Sequence, residues 1–209
     1  KIKKNLDILL IDVSVNINQY RLIPRGKLRE PLKALNRADI IIFTKCNFDM
    51  GSKKNIKKLV QENLYNKNVL VLDSNYVSFL KRYVQKTNLL TNFNNKINEP
   101  IVAFCGIANA AIFNKQAHKY CTEKIKIINF KDHHQYTRGD FSLIKKELKA
   151  IGGSVLLTTK KDFFKVKASL SSYKIFLIDV KHVFLNEDSF FLSVQRDIND
   201  YYCSTQRIG

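Results

Sequence analysis

The sequence has no uninterrupted apolar run approaching the roughly 20 residues of a membrane span. No charged-then-apolar leader opens it either. With 209 residues and 45% apolar content, it is expected to be soluble and globular, with a real core in one large domain or two small ones. Neither GxGxxG nor GxxxxGK[ST] occurs, which excludes a glycine cradle for phosphate of those two kinds within these residues. Cysteine is sparse: Cys46, Cys105, Cys121 and Cys203 stand far apart, with no CxxC pair and no histidine at ligand spacing. They read as reduced thiols of a cytosolic protein. His133 and His134 are adjacent, so in an extended loop they point apart and cannot chelate one ion from a single face. No metal is expected on histidine or cysteine. Methionine is limited to Met50 and the chain opens on Lys1, so the sequence reads as a processed product or a piece of a longer one.

Acidic residues are also scarce, 18 against 36 Lys and Arg, for a formal charge of +18. Such an excess attracts an anionic partner: nucleic acid, a phosphorylated small molecule or a lipid surface. The lysines are scattered among asparagines and isoleucines. The arginines are not: Arg21, Arg25, Arg29 and Arg37 crowd one segment, and guanidinium grips phosphate or carboxylate through two bonds.

Apolar patterning predicts an α/β protein. Residues 6–13 read as a strand buried on both faces, ending near Asp12, which is either a turn residue or a site acid. Residues 20–31 form a stiff loop, because Pro24, Gly26 and Pro31 fix the backbone. It presents Arg29 and Glu30, either for work on an anion and magnesium or as an ordinary surface ion pair. Helical turns at 32–38, a buried strand at 39–44, a helix from a Ser52 cap to about Leu64, a strand at 69–72 and a helix at 77–84 follow. The lysines of the 52–64 helix are expected on a solvated face.

The asparagine-rich stretch 87–99 is expected to be a linker between domains at 1–86 and 100–209, with room for a short hairpin or strand pair within it. Beyond it strands alternate with helices: a strand at 101–105 running into Gly106 and a helix, and a strand at 125–130. A helix capped by Thr137 with Asp140 follows, then a strand at 154–159 leading into Lys160, Lys161 and Asp162, and a strand at 175–180. A short final helix or tail closes the chain.

The loop 130–137, Phe-Lys-Asp-His-His-Gln-Tyr-Thr, lies where a strand hands over to a helix, a favoured place for chemistry. Asp132 beside His133 is the only such acid-imidazole neighbour pair. Either the carboxylate keeps an imidazole basic for proton transfer, or the histidine is an ordinary loop residue bonded to backbone.

Four stretches in order, LIPRGKLREP at 22–31, AFCGIAN at 103–109, FKDHHQYT at 130–137 and TKKD at 159–162, resemble the tetraacyldisaccharide 4'-kinase family of lipid A biosynthesis over nearly the whole chain. The resemblance implies a P-loop-kinase-like parallel sheet, here a remnant, with a second Rossmann-like α/β domain. It further implies a kinase peripheral on the cytoplasmic face of the inner membrane, using ATP and Mg2+ to phosphorylate the 4'-hydroxyl of a phosphorylated glycolipid. Carried over residue by residue, it marks Arg29 and Glu30 as active-site residues, with magnesium near Glu30. It marks His133 as the assistant of a catalytic aspartate, and Asp132, Lys161 and Asp162 as motif positions with less definite roles; Arg21, Arg25 and Asp12 lie close by. Arg25, Lys27, Lys131 and Lys160 depart from the family's usual Ala, Pro, Pro and Glu. The family's P-loop, catalytic aspartate and Asp-Asp-Gly-Phe-Gln motif precede the first strand seen here, so the isolated polypeptide is expected to lack kinase activity. The alternatives are a non-catalytic basic lipid-binding protein and a nucleic-acid-binding module. The latter is disfavoured because the aromatics sit mostly at core spacing.

Overall fold

The computed structural model describes residues 6–48, 52–66 and 68–205. In chain order the elements are β1 (Ile8–Asp12), β2 (Ile40–Thr44), α1 (Lys53–Asn63), β3 (Leu70–Val84), β4 (Leu89–Phe93), β5 (Ile101–Cys105), α2 (Ala110–Tyr120), β6 (Ile125–Asn129), α3 (Arg138–Ala150), β7 (Val155–Thr159), α4 (Lys160–Leu170), β8 (Lys174–Phe184) and α5 (Glu187–Thr205). They form two compact units, Lys1–Val77 with Lys181–Gly209, and Ser78–Val180. The long strands β3 and β8 each pass from one unit into the other.

In the first unit β2 lies between β1 and the opening of β3, all parallel, with Ile8 beside Ile40 and Ile40 beside Leu70. An unbroken Ile-Ile-Ile-Phe run demands cover on both faces, and β2 has it. Ile41 and Phe43 pack with Ile56 and Val60 of α1 and with Leu35 of a 3-10 turn, while Ile40 and Ile42 pack with Phe184, Phe190 and Val194.

In the second unit the parallel order is β8-β7-β5-β6. Ile101, Ala103 and Cys105 face Phe113 and Ala117 of α2, while Val102 and Phe104 face Ile144 and Leu148 of α3 and Phe163 and Val166 of α4. Burying each such side chain contributes about 1.5–3 kcal/mol, so this three-layer core holds the strand ends rigidly. The chain leaves β5 for β6 on one side and returns to β7 on the other. Such a reversal at the carboxyl ends of β5 and β7 is where open α/β sheets favour ligand binding.

Several expectations need correction. β1 is not buried on both faces: Ile8 and Leu10 are exposed, and its pairing in the described residues is with β2 alone. Residues 77–84 are strand, not helix. Leu80 to Val84 pair antiparallel with Leu89 to Phe93, so β4 is the strand pairing for which the asparagine-rich stretch left room. Compactness likewise divides the chain near 77 and returns 181–209 to the first unit, whereas composition drew the boundary at 87–99. Ser52 precedes α1 but its side chain makes no capping bond. The α1 lysines are not all solvated, since Lys53 reaches the Cys46 carbonyl at 2.8 Å and Lys57 pairs with Asp73. The final helix is 19 residues long, not short. Cys46, Cys105 and Cys121 are free and buried; the side chain of Cys203 lies outside the described residues.

Candidate active site

The sequence-predicted site residues fall into two groups, one in each unit. In the second unit, Asp132, His133, Lys161 and Asp162 gather at the carboxyl ends of β5, β6 and β7. Asp162 sits in the first turn of α4 and is wholly buried. Its Oδ2 accepts bonds from the Gly106 amide at 3.0 Å and the Thr159 hydroxyl at 2.7 Å, and Thr159 caps the helix by accepting from the Asp162 amide. One carboxylate thereby ties the loop after β5 to the loop after β7. Gly106 is needed for this closeness: a Cβ there would lie 3.1 Å from His134 Cβ, 3.2 Å from Asp162 Oδ1 and 3.3 Å from the Lys131 carbonyl. Asp162 Oδ1 and the Tyr136 hydroxyl are buried without a partner among protein atoms. Burial, and then the neighbouring Asp162 carboxylate, push the Tyr136 phenol well above its usual range. Burial likewise pushes the Cys105 thiol up to about 12, so it is no nucleophile.

Asp132 and His133 are neighbours without a side-chain hydrogen bond. The His133 ring nitrogen lies 3.8 Å from Asp132, whose other oxygen accepts the His133 backbone N–H at 3.0 Å and lies 3.8 Å from Lys161 Nζ. The His133 side chain is 78% exposed and its backbone is left-handed, with φ of 59°. The bonded acid-imidazole pair in this loop is His134 with Asp140, at 2.9 Å. Sequence reading found Asp140 as a cap and missed it as a histidine partner, because a separation of six residues carries no periodic signal.

In the first unit, Asp12 ends β1. It accepts from the Ser14 amide at 2.9 Å and hydroxyl at 2.6 Å and pairs with Lys45. Burial raises its pKa, but the Lys45 and Ser14 bonds outweigh burial and hold it below the usual range. Ser74, at the carboxyl side of the β3 segment in this unit, bonds the Phe43 carbonyl at 3.3 Å and lies 3.4 Å from His182 Nδ1. Lys45, Ser74 and His182 escaped sequence reading, since each stands alone in its segment.

The loop 20–31 is closed by bonds from Leu28 N–H to Arg21 O and from Ile23 N–H to Leu28 O, each 3.0 Å. Arg21 and Arg25 are displayed on it, exposed. Arg29 and Glu30 line a cavity of about 350 Å³ with Leu9, Leu32 and Leu35, and Glu30 Oε2 pairs with Arg37. This is an apolar floor with a charged rim. Among the described residues no group of three or more His, Cys, Asp or Glu is placed to hold a metal ion, and no helix is long and apolar enough to cross a membrane.

Residues 1–199 match the family model for tetraacyldisaccharide-1-P 4'-kinase. The chain is similar to the tetraacyldisaccharide 4'-kinase of Halothermothrix orenii, 30% identical over 186 residues, covering 85% of this chain and 47% of that one. It is also similar to the kinase of Bdellovibrio bacteriovorus (27% identical; 80% and 48% covered) and that of Phocaeicola vulgatus (28%; 99% and 57%). Its fold matches a crystal structure of the "apo" form of LpxK from Aquifex aeolicus in complex with ATP. The TM-score is 0.56 at 20% identity, over 93% of this chain and 53% of that one. The chain thus spans about half the length of the relatives it matches.

Proposed function

The chain belongs to the tetraacyldisaccharide-1-P 4'-kinase family, and from that membership we propose that it forms part of a lipid kinase moving the γ-phosphate of ATP to the 4'-hydroxyl of tetraacyldisaccharide 1-phosphate. The observation that carries this reading is the family match across both units, with each unit bringing motif residues to loops or strand ends. Phosphoryl transfer asks mainly for positioning and charge stabilisation, which rigid strand ends supply. His133 is the one exposed imidazole of the 130–137 loop and is the group that moves or steers the proton of the attacking hydroxyl. Asp132, held by its own loop and near Lys161, sets the charge beside it. Arg29 grips a phosphate oxygen. Glu30, whose carboxylate keeps one oxygen beyond its pair with Arg37, would be the residue to hold magnesium brought with the nucleotide. Such an ion takes one or two carboxylates and would supply charge neutralisation at the phosphates. Arg21, Arg25 and Asp12 serve as substrate- or nucleotide-proximal groups, while Asp162, wholly buried, holds the loops after β5 and β7 together.

By motif, the triphosphate cradle is not among these 209 residues. With a charge of +18, the protein works peripherally on an anionic cytoplasmic leaflet, where each nearby Lys or Arg contributes roughly 1 kcal/mol.

The test is transfer of labelled γ-phosphate to tetraacyldisaccharide 1-phosphate by the native polypeptide. His133→Ala and Arg29→Ala are each expected to lower kcat/KM by about 100-fold. The 209 residues alone, lacking GxxxxGK[ST], are expected to turn over nothing. Full activity in both variants would overturn the assignment.

A further inference from the structure

We propose that His134, which no part of the transfer chemistry uses, is a positioning residue that holds His133 in its left-handed, outward-facing conformation. This rests on the reading of His133 given above.

A left-handed non-glycine residue persists only where its surroundings over-determine it. Here every element around the loop grips the residue that follows. The His134 ring stacks on Phe130 at the end of β6, with centroids 4.6 Å apart and planes 18° from parallel, and meets Tyr136 edge-on at 5.1 Å. Its Nε2 lies 2.9 Å from Asp140 Oδ2, the oxygen that also accepts the Thr137 amide at 2.7 Å and hydroxyl at 2.8 Å. The imidazole is therefore fastened to the capping box that starts α3. The His134 backbone is held as firmly: its N–H donates to the Lys131 carbonyl at 3.1 Å, and its carbonyl accepts from Lys165 Nζ of α4 at 2.9 Å. Gly106 leaves room for its Cβ. His133 has none of these ties through its side chain. Among the described residues its partner is Asp132, where the backbone N–H bond fixes the peptide and not the ring. The two adjacent histidines therefore divide the work, one being anchored and the other presented.

The anchor needs an Nε2–H that donates to Asp140 Oδ2. A substitution that keeps a donor at that reach should keep the anchor. One that keeps only the ring face should lose it.

The experiment compares His134→Phe, His134→Gln, Lys165→Met and His133→Ala in the native polypeptide, by amide hydrogen exchange over 131–137 and by steady-state phosphate transfer. In His134→Phe, which keeps the stack but not the donor, loop amides are expected to exchange about tenfold faster and kcat to fall about tenfold with KM little changed. His134→Gln is expected to restore most of both. Lys165→Met, which removes the second anchor from the exposed side of α4, is expected to give a smaller change in the same direction. It decides the matter if His134→Phe does not fold. His133→Ala should leave loop exchange unchanged while lowering kcat further. Exchange and kcat both unchanged in His134→Phe would overturn the proposal, as would a fall in kcat without faster exchange, which would put His134 itself on the substrate. A fully active His133→Ala would instead overturn the role of His133, while the exchange measurements would still show whether His134 orders the loop.

Discussion

At the scale of single residues, His133 and Asp162 mark two extremes of how a polar side chain is kept. Asp162 is wholly buried and its carboxylate closes bonds to Gly106 and Thr159, so it belongs to the framework. His133 is exposed, bonds nothing through its ring, and occupies backbone space that costs a non-glycine residue roughly 1–2 kcal/mol. Replacing it with glycine relieves that cost but adds about 0.5–1 kcal/mol of unfolded-state entropy. The two nearly cancel. His133→Gly is therefore expected to unfold in urea within about 1 kcal/mol of the parent, on the stable side if either. A loss of more than about 2 kcal/mol would mean the side chain holds structure and is not simply presented. Asp12 makes a turn with Ser14 and carries the Lys45 ion pair at a strand's carboxyl end.

At the scale of elements, the loop bearing Arg29 and Glu30 depends on one glycine. Gly26 packs so closely on the main chain of Arg21 that a Cβ would overlap it, with the Arg21 N 2.7 Å and C 2.8 Å away. Backbone cannot swing aside as a side-chain tip can, so Gly26→Ala must open the Leu22 to Leu28 bridge. A cost of about 1–3 kcal/mol is expected, with faster exchange of the Leu28 amide. Unchanged exchange there would show that the loop yields without opening. The stiffness of this loop was legible from its prolines and glycine, as was the α3 capping box from Thr137 and Asp140. Both are local devices whose chemistry lies within a few residues. What escaped was decided at a distance. Val77, Leu80 and Val84 have helical spacing, yet pairing with β4 makes the segment a strand, because tertiary hydrogen bonds override a weak local preference. The run at 6–13 looks doubly buried, but burial depends on what covers it, and Leu10 remains exposed. The His134–Asp140 bond was hidden for the same reason: only the folded loop brings its ends together.

At the scale of the whole molecule, an excess of cations makes each carboxylate a counterweight, and several are tied to lysine. Burial raises Asp179, but Lys81, the Val180 amide and Lys160 outweigh it and hold it below the usual range. Burial is likewise outweighed at Asp140 by the Thr137 amide and the His134 ring, and at Asp12 by Lys45 and Ser14. A carboxylate with a lowered folded pKa stabilises fully above its unfolded value, near 4, and that stability is lost as pH falls through the folded value. His182 works at higher pH in the same direction. Burial, then Lys45, lowers its pKa against the opposing pull of Asp12, so protonation favours the unfolded chain. Its contribution is intact above about 6.5 and declines below. Tyr20 and Tyr136, raised chiefly by burial, lose stability only above about 10, where the unfolded phenols ionise first. Stability should therefore be flat from about pH 7 to 8. It should decline above about 8.5 as the unfolded thiols of Cys46, Cys105 and Cys121, raised in the fold by burial, ionise first. It should fall gently below 6.5, and steeply below about 4 as the carboxylates protonate and the net positive charge grows. His182→Phe should erase the gentle step alone, because Ser74 keeps its bond to the Phe43 carbonyl. Urea midpoints at pH 8, 5.5 and 3.5 for parent and variant measure both steps. A parent that is equally stable at pH 8 and 5.5 would show that His182 takes up its proton without cost in the fold.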